Sequence, residues 1–130
     1  MTTFMPYSFS KAERLHSKKL IKELFEKGSS FFLYPYKILI LEIPKVDEQQ
    51  PEAQVMFTVS KRSFKRAVDR NRIKRLLREV YRLQKPKLST HSQDVQFLIA
   101  ILYIAKKEHP ISFLQEKFIE AFKRLNKERR

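Results

Sequence analysis

The stretch Val59–Tyr81, VSKRSFKRAVDRNRIKRLLREVY, combines a helix-forming apolar stripe and a dense positive field in the same residues. At about 100° per residue, Ile73, Leu76, Leu77, Val80 and Tyr81 cluster in one sector of a helix, and Asn71, Arg75, Arg78 and Arg82 fall roughly opposite. Arg70, Arg72 and Lys74 lie on its flanks. Such a helix docks on a core through its aliphatic side and carries a guanidinium ridge outward. Asp69 falls in the first turn, where a negative charge suits the helix dipole. From Lys61 to Lys87 there are 12 Lys or Arg against 2 acids, a local charge of +10 within a total of +14. That concentration points to a polyanionic partner. An exposed helix face can be basic for solubility alone, but acids are then interspersed. Here only Asp69 and Glu79 offset the cations, and like charges four residues apart cost folding energy unless an anion compensates. Arg outnumbers Lys between Arg62 and Arg82, and guanidinium forks suit phosphate oxygens and stack on bases.

Working outward, Ser17 is a candidate N-cap for a helix ending at Lys27, with Leu20, Ile21, Leu24 and Phe25 on one face. Gly28, the one glycine of the chain, is expected to close it with a left-handed cap. Ser10-Lys-Ala-Glu13 has capping-box spacing for a short helical turn. Tyr36–Ile43 and Gln54–Ser60 are rich in strand formers, with Pro44 and the polar run Lys45–Glu52 between them as a loop. After Pro86 and a polar stretch, the continuous apolar run Val95–Ala105 reads as a buried strand. Phe113, Leu114, Phe118, Ala121, Phe122 and Leu125 mark a final helix over about Ser112–Lys127, with Ser112-x-x-Gln115 as its capping box. Neither an internal repeat nor a low-complexity segment is present. Helices and strands in this order suit an α+β fold of helices on a small sheet.

A chain of 130 residues with 42% hydrophobic content fits one domain, residues 1–130, with a single core, and 11 Phe with 5 Tyr argue against a disordered basic tail. The absence of Cys removes disulfides, thiolate metal sites and cysteine nucleophiles. No secretory signal is read at the N-terminus, and the longest apolar run, Phe97–Ala105, is far short of the ~20 residues of a spanning helix. A soluble, cytoplasmic protein without a membrane partner is the expectation.

A single Gly excludes a phosphate-cradling loop and a dinucleotide fingerprint, both of which need several. His16, His91 and His109 are far apart and lack zinc-site spacing, so they read as ordinary surface or loop residues. Asp47 and Glu48 sit in the polar loop, and Asp69 reads as a helix-start residue. The sequence offers no catalytic constellation, which in so basic a chain favours binding and positioning over chemistry. Phe25, Tyr34, Tyr36 and Phe57 divide between core packing and stacking platforms for unpaired bases. Tyr34-Pro35-Tyr36 is the best candidate for partial exposure.

Arg70-Asn71-Arg72-Ile73-Lys74-Arg75, preceded by Ser60-Lys61-Arg62 and followed by Leu77-Arg78-Glu79, closely resembles the family of bacterial ribonuclease P protein subunits. The resemblance extends over Phe9–Gly28, through Arg14-Leu15 and the helix end Phe25–Gly28, and over Ala105-Lys106-Lys107 into the final helix. It implies a two-layer α-β sandwich with a small central sheet and three helices in the order αβββαβα, and a left-handed crossover at the basic helix. It further implies that an RNA subunit performs Mg²⁺-dependent removal of the 5′ leader from precursor tRNA, the Mg²⁺ being held mainly by RNA and substrate phosphates. Arg66, Arg70, Asn71, Arg72, Lys74, Arg75 and Arg78 would then contact the catalytic RNA. Ile21, Phe25, Tyr36, Lys61 and Arg62 would form a cleft for the leader, with no DNA partner expected. Two positions depart from the family pattern: Ile21 stands where many members carry an aromatic residue, and Ser63-Phe64 where many carry Gly. A ribosomal or general structural RNA-binding protein is the alternative reading, and a self-sufficient nuclease using one of its own histidines or carboxylates is a third.

Overall fold

In the computed structural model, which describes residues 11–47, 50–85 and 94–128, a 3-10 turn (Lys11–Glu13) precedes helix α1 (Lys18–Lys27). Strands β1 (Ser29–Leu33), β2 (Tyr36–Pro44) and β3 (Ala53–Val59) follow, then helix α2 (Ala67–Gln84), strand β4 (Val95–Tyr103) and helix α3 (Ile111–Glu128). The expected order αβββαβα is the observed one. The strand that residue patterning alone left without bounds is β1, whose two serines dilute its β signal. Its pairing runs from Ser29 opposite Ile40 to Leu33 opposite Tyr36, so Tyr34-Pro35 is the turn of a tight hairpin.

The four strands lie in the order β1-β2-β4-β3. Both β1 and β4 pair antiparallel with β2, whereas β3 and β4 are parallel neighbours joined through α2. Strand β4 is therefore central, which accounts for its continuous apolar run: from Gln96 to Ile101 every side chain is buried, on whichever face it lies. Pairing ends at Tyr103, two residues short of the apolar run, opposite Tyr36 and Val59.

Alternation along the strands divides the core in two. On one face Tyr36, Ile38, Val55, Phe57, Phe97, Ile99 and Ile101 meet Ile73, Leu77, Val80 and Tyr81 of α2 and Leu114, Phe118, Phe122 and Leu125 of α3. The stripe read from helix angles is the face that docks, with Leu76 half-buried at its margin. On the other face Leu39, Leu98 and Ala100 are buried with Leu15 and Leu24, flanked by Leu20, Ile21, Leu41 and Met56. The helical layer of the sandwich is thus α2 and α3, and α1 covers part of the opposite face. No helix among the described residues is long and apolar enough to cross a membrane.

The caps differ from the sequence expectation at two of three described places. Ser17 does cap α1, its Oγ accepting from the Leu20 amide at 3.3 Å. Gly28 is not left-handed: its φ of −72° and ψ of 155° are extended backbone. What requires glycine is close approach, because a Cβ there would stand 2.4 Å from the Leu24 carbonyl oxygen and 3.1 Å from that of Ile40. The chain turns from α1 directly into β1 against its neighbour strand, leaving no room for a side chain. Helix α3 starts at Ile111, with the Pro110 carbonyl accepting from the amides of Phe113 and Leu114, so Ser112 lies inside the first turn and its capping box does not form. Ser10, Glu48, Pro86 and His91 lie outside the described residues.

Candidate nucleic-acid interface

The basic helix is delivered by a braced turn. Leaving β3, the Ser60 Oγ accepts from the Arg62 amide at 3.1 Å and the Ser60 carbonyl accepts from the Phe64 amide at 3.0 Å. Phe64 packs on the core beside the Tyr103 ring, with centroids 6.0 Å apart. From within α2, Arg70 Nη1 donates to the Phe64 and Lys65 carbonyls, both at 2.9 Å. Ser63-Phe64, the departure from a glycine pattern, is therefore a turn pinned by an aromatic anchor. Lys61, Arg62, Lys65 and Arg66 project from it into solvent.

Along α2 the cations divide by what they touch. Arg66, Asn71, Arg75 and Arg78 are exposed and Lys74 is half-buried, and none of these five side chains makes a hydrogen bond or ion pair with the described residues. Arg70 is spent partly on the turn. Arg72 is held by two acids: its Nε donates to Glu108 Oε1 and its Nη2 to Glu108 Oε2, both at 2.8 Å, and Nη2 also donates to Asp69 Oδ1 at 2.9 Å. The hydrogen bonds from Arg72 lower the Glu108 carboxyl pKa below its ordinary value, and Glu108 in turn raises that of the guanidinium. Arg82 pairs with Glu79 one turn away, and its hydrogen bonds lower the Glu79 carboxyl pKa. The outward ridge is thus Arg66, Asn71, Lys74, Arg75 and Arg78, flanked by arginines that the fold neutralises.

A second surface lies between α1 and the sheet. Register places Phe32 opposite Lys37, Lys37 opposite Leu102, and Leu102 opposite Thr58, one side chain from each strand in a single row. In the next row Leu39 and Ala100 are buried, whereas Lys37, Leu102 and Thr58 are only partly covered and Phe32 is 63% exposed. The Lys37 ammonium stands 5.1 Å from the Phe32 ring centroid. On α1, Phe25 is 47% exposed and Ile21, one turn earlier, packs half-buried into the smaller cluster.

Of the five residues assigned from sequence to a leader cleft, Ile21 and Phe25 belong to this α1 surface, and Lys61 and Arg62 stand exposed just beyond β3. Tyr36 does not belong. It is 0% exposed on the opposite face of the sheet, its hydroxyl donates to the Leu114 carbonyl at 2.9 Å, and its ring meets Phe118 edge-on. Burial, with Tyr103 nearby, raises its phenol pKa, so it stays a neutral donor inside the core. The partial exposure expected at Tyr34-Pro35-Tyr36 falls on Tyr34 alone, whose hydroxyl meets His109 Nε2 at 2.9 Å. Phe57 is a core residue. Phe32 and Lys37 went unnoticed in the sequence although a signal was there: side chains alternate along β2, so if Tyr36 faces the core its successor faces α1.

Comparison with known proteins bears on these two surfaces. The Ribonuclease P family profile matches residues 9–126. The ribonuclease P protein component of Porphyromonas gingivalis (strain ATCC 33277) is 34% identical over 104 residues, covering 80% of this chain and 74% of that protein. That of Chlorobium phaeobacteroides is 36% identical over 114 residues, covering 82% and 78%. Among solved structures, the RNase P protein from Thermotoga maritima superimposes with a TM-score of 0.69 at 20% identity, over 86% of this chain and 96% of that one. The Staphylococcus aureus RNase P protein gives 0.62 at 21% identity, over 87% and 94%. The structural likenesses bear on the fold, and the sequence matches on the family.

Proposed function

The chain belongs to the Ribonuclease P family, and from that premise we propose that it works as the protein subunit of a ribonucleoprotein endoribonuclease, binding the catalytic RNA and the 5′ leader of precursor tRNA. The observation that carries the reading is the ridge: the side chains of Arg66, at the N-cap of α2, and of Asn71, Lys74, Arg75 and Arg78, on the helix itself, are unpartnered among the described residues, and the opposite face of that helix is locked into the core. That the fold neutralises Arg72 and Arg82 internally, yet leaves these side chains without a partner among the described residues, supports a site for external anions. Each phosphate they engage releases condensed counterions, worth a slope of about −0.9 in log affinity against log salt on duplex RNA or DNA. The α1 surface supplies the complementary chemistry for an unpaired strand. Phe25 and Phe32 offer exposed rings for bases, and Lys37, Lys61 and Arg62 are cations for the backbone between them. Such a surface grips a leader without demanding a sequence.

Catalysis belongs to the RNA subunit in this reading. Among the described residues no group of three or more His, Asp or Glu stands together to hold a metal ion, and Asp69, Glu79 and Glu108 are each bound to arginine. In this reading the Mg²⁺ of the reaction is held mainly by RNA and substrate phosphates, and this chain's part is to dock beside them, fix the leader and reduce phosphate repulsion. Mixing the chain with a bacterial ribonuclease P RNA at low Mg²⁺ and following leader removal tests the proposal. Faster cleavage than by RNA alone, with affinity that depends on leader length, is expected. No gain over RNA alone overturns it, and affinity indifferent to the leader favours a general RNA-binding role.

A further inference from the structure

We propose that Glu108 is an internal competitor of the RNA backbone, its carboxylate filling the fork of Arg72 and keeping that guanidinium out of the set that meets phosphate. The proposal rests on the reading above that the α2 ridge docks RNA. Glu108 lies 36 residues from Arg72 in the connection between β4 and α3, yet both of its oxygens accept from Arg72, through Nε and Nη2, at 2.8 Å. This is the two-pronged geometry with which arginine also takes two phosphate oxygens, so the carboxylate occupies the arrangement that an RNA phosphate would use. The site is on the surface: the side chains of Arg72 and Glu108 are 49% and 41% exposed, and neither belongs to a core cluster.

Its surroundings favour an anion. Lys106 and Lys107 precede Glu108 and are exposed, and Arg72 stands three residues before Arg75 on the same helix. Without Glu108 the compensation of Arg72, within one turn of other cations of α2, would fall to the single hydrogen bond from Asp69, and the weaker pairing costs folding energy in the free protein. Asp69 alone does not close the fork, because it takes a single hydrogen bond from Nη2 and leaves Nε open. Glu108 thus relieves repulsion along the ridge and caps the number of phosphate contacts, which restrains affinity for arbitrary RNA more than affinity for a partner that engages the rest of the ridge.

The effect has an unusual sign. Removing one negative charge, in a loop away from the basic motif, strengthens RNA binding, and it does so only while Arg72 is present. Binding of the intact chain to a bacterial ribonuclease P RNA, measured by filter retention over a series of KCl concentrations, reads this directly. Glu108→Gln is expected to bind several-fold more tightly, with a salt slope steeper by about 0.9. Arg72→Ala alone is expected to keep the wild-type slope, and in Arg72→Ala/Glu108→Gln the gain disappears. Arg75→Ala serves as the reference, with a slope shallower by about 0.9. If Arg75→Ala leaves the slope unchanged, the docking reading itself fails. If Arg75→Ala behaves as expected but Glu108→Gln binds no more tightly, or its gain survives without Arg72, the competitor proposal fails alone. A merely structural strap shows instead as weaker RNA binding by Glu108→Gln, which equally overturns the proposal.

Discussion

Tyr36 and Lys37 are adjacent in the chain and face opposite sides of the sheet, so a pair of substitutions separates what folds the protein from what is proposed to hold a strand of RNA. Tyr36→Phe keeps the ring against Phe118 and removes only the hydroxyl that donates to the Leu114 carbonyl at 2.9 Å. That carbonyl lies in the first turn of α3, where the helix ladder supplies another donor, so no acceptor is fully orphaned. The cost is then that of one buried neutral hydrogen bond, about 1 kcal/mol. For a chain of this length that lowers the melting temperature by about 4 °C. Lys37→Ala removes a half-buried side chain whose ammonium sits 5.1 Å from the Phe32 centroid, and its effect on stability should stay within about 0.5 kcal/mol. On an unpaired leader, however, it deletes one phosphate contact, which flattens the salt dependence by about 0.7. Urea denaturation measures the first quantity, and titration of precursor tRNA with and without its leader measures the second. Should Tyr36→Phe weaken leader binding at unchanged stability while Lys37→Ala does neither, the assignment of faces to functions is wrong.

Gly28→Ala places a Cβ against two backbone carbonyls, 2.4 Å from Leu24 O and 3.1 Å from Ile40 O, so α1 must shift relative to β2, at about 1–3 kcal/mol by the usual cost of overpacking. An unchanged urea midpoint would show that this approach is looser than described. Arg75→Ala is expected to leave the melting temperature unchanged while weakening RNA binding, because the side chain is exposed and without a partner among the described residues; a large loss of stability would show that it packs. Hydrogen bonds from Arg72 and Arg82 depress the Glu108 and Glu79 carboxyls, so these pairs contribute stability above the unfolded carboxylate pKa and lose it as pH falls through the lower folded values. Melting temperatures followed from pH 7 downward should therefore fall on the acid side of the ordinary carboxylate range. In Glu108→Gln that decline should be smaller, and an identical acid profile would mean the pair contributes nothing.

Much of the fold was legible because its signals are local. The 3.6-residue stripe Ile73–Leu77–Val80 and the Phe/Leu repeat of α3 need no knowledge of partners; α3 lies within a residue of its expected bounds, and Asp69 falls in the first turn of α2 as expected. The central strand announced itself by being apolar on both faces. Where reading failed, the determinant was a distant neighbour. Glycine at position 28 suggested a left-handed cap on local grounds, but what excludes a side chain is the Ile40 carbonyl twelve residues on together with the helix's own last turn. Ser112 matched a capping box, yet the Pro110 carbonyl, two residues earlier, starts the helix.

The candidate site shows the same division more sharply. Helix angles alone identified a ridge, because which cations point outward is set by the helix that bears them. Which of those cations remain available is not a property of the helix: Glu108 reaches Arg72 only because β4 returns the chain beside the N-terminal end of α2, and Arg70 turns to carbonyls that exist only once Phe64 is seated on Tyr103. Residue type and spacing therefore define a superset of anion-binding groups, and the tertiary fold subtracts from it those whose charge is spent internally. The surface proposed for the leader needed the opposite operation. Its row Phe32–Lys37–Leu102–Thr58 takes one residue from each of four strands, so no single window of sequence contains it, and only the register of the sheet assembles it. A basic protein of this kind thus cannot be ranked for RNA affinity by its charge count. The quantity that matters is the number of cations left unpaired after the chain has folded.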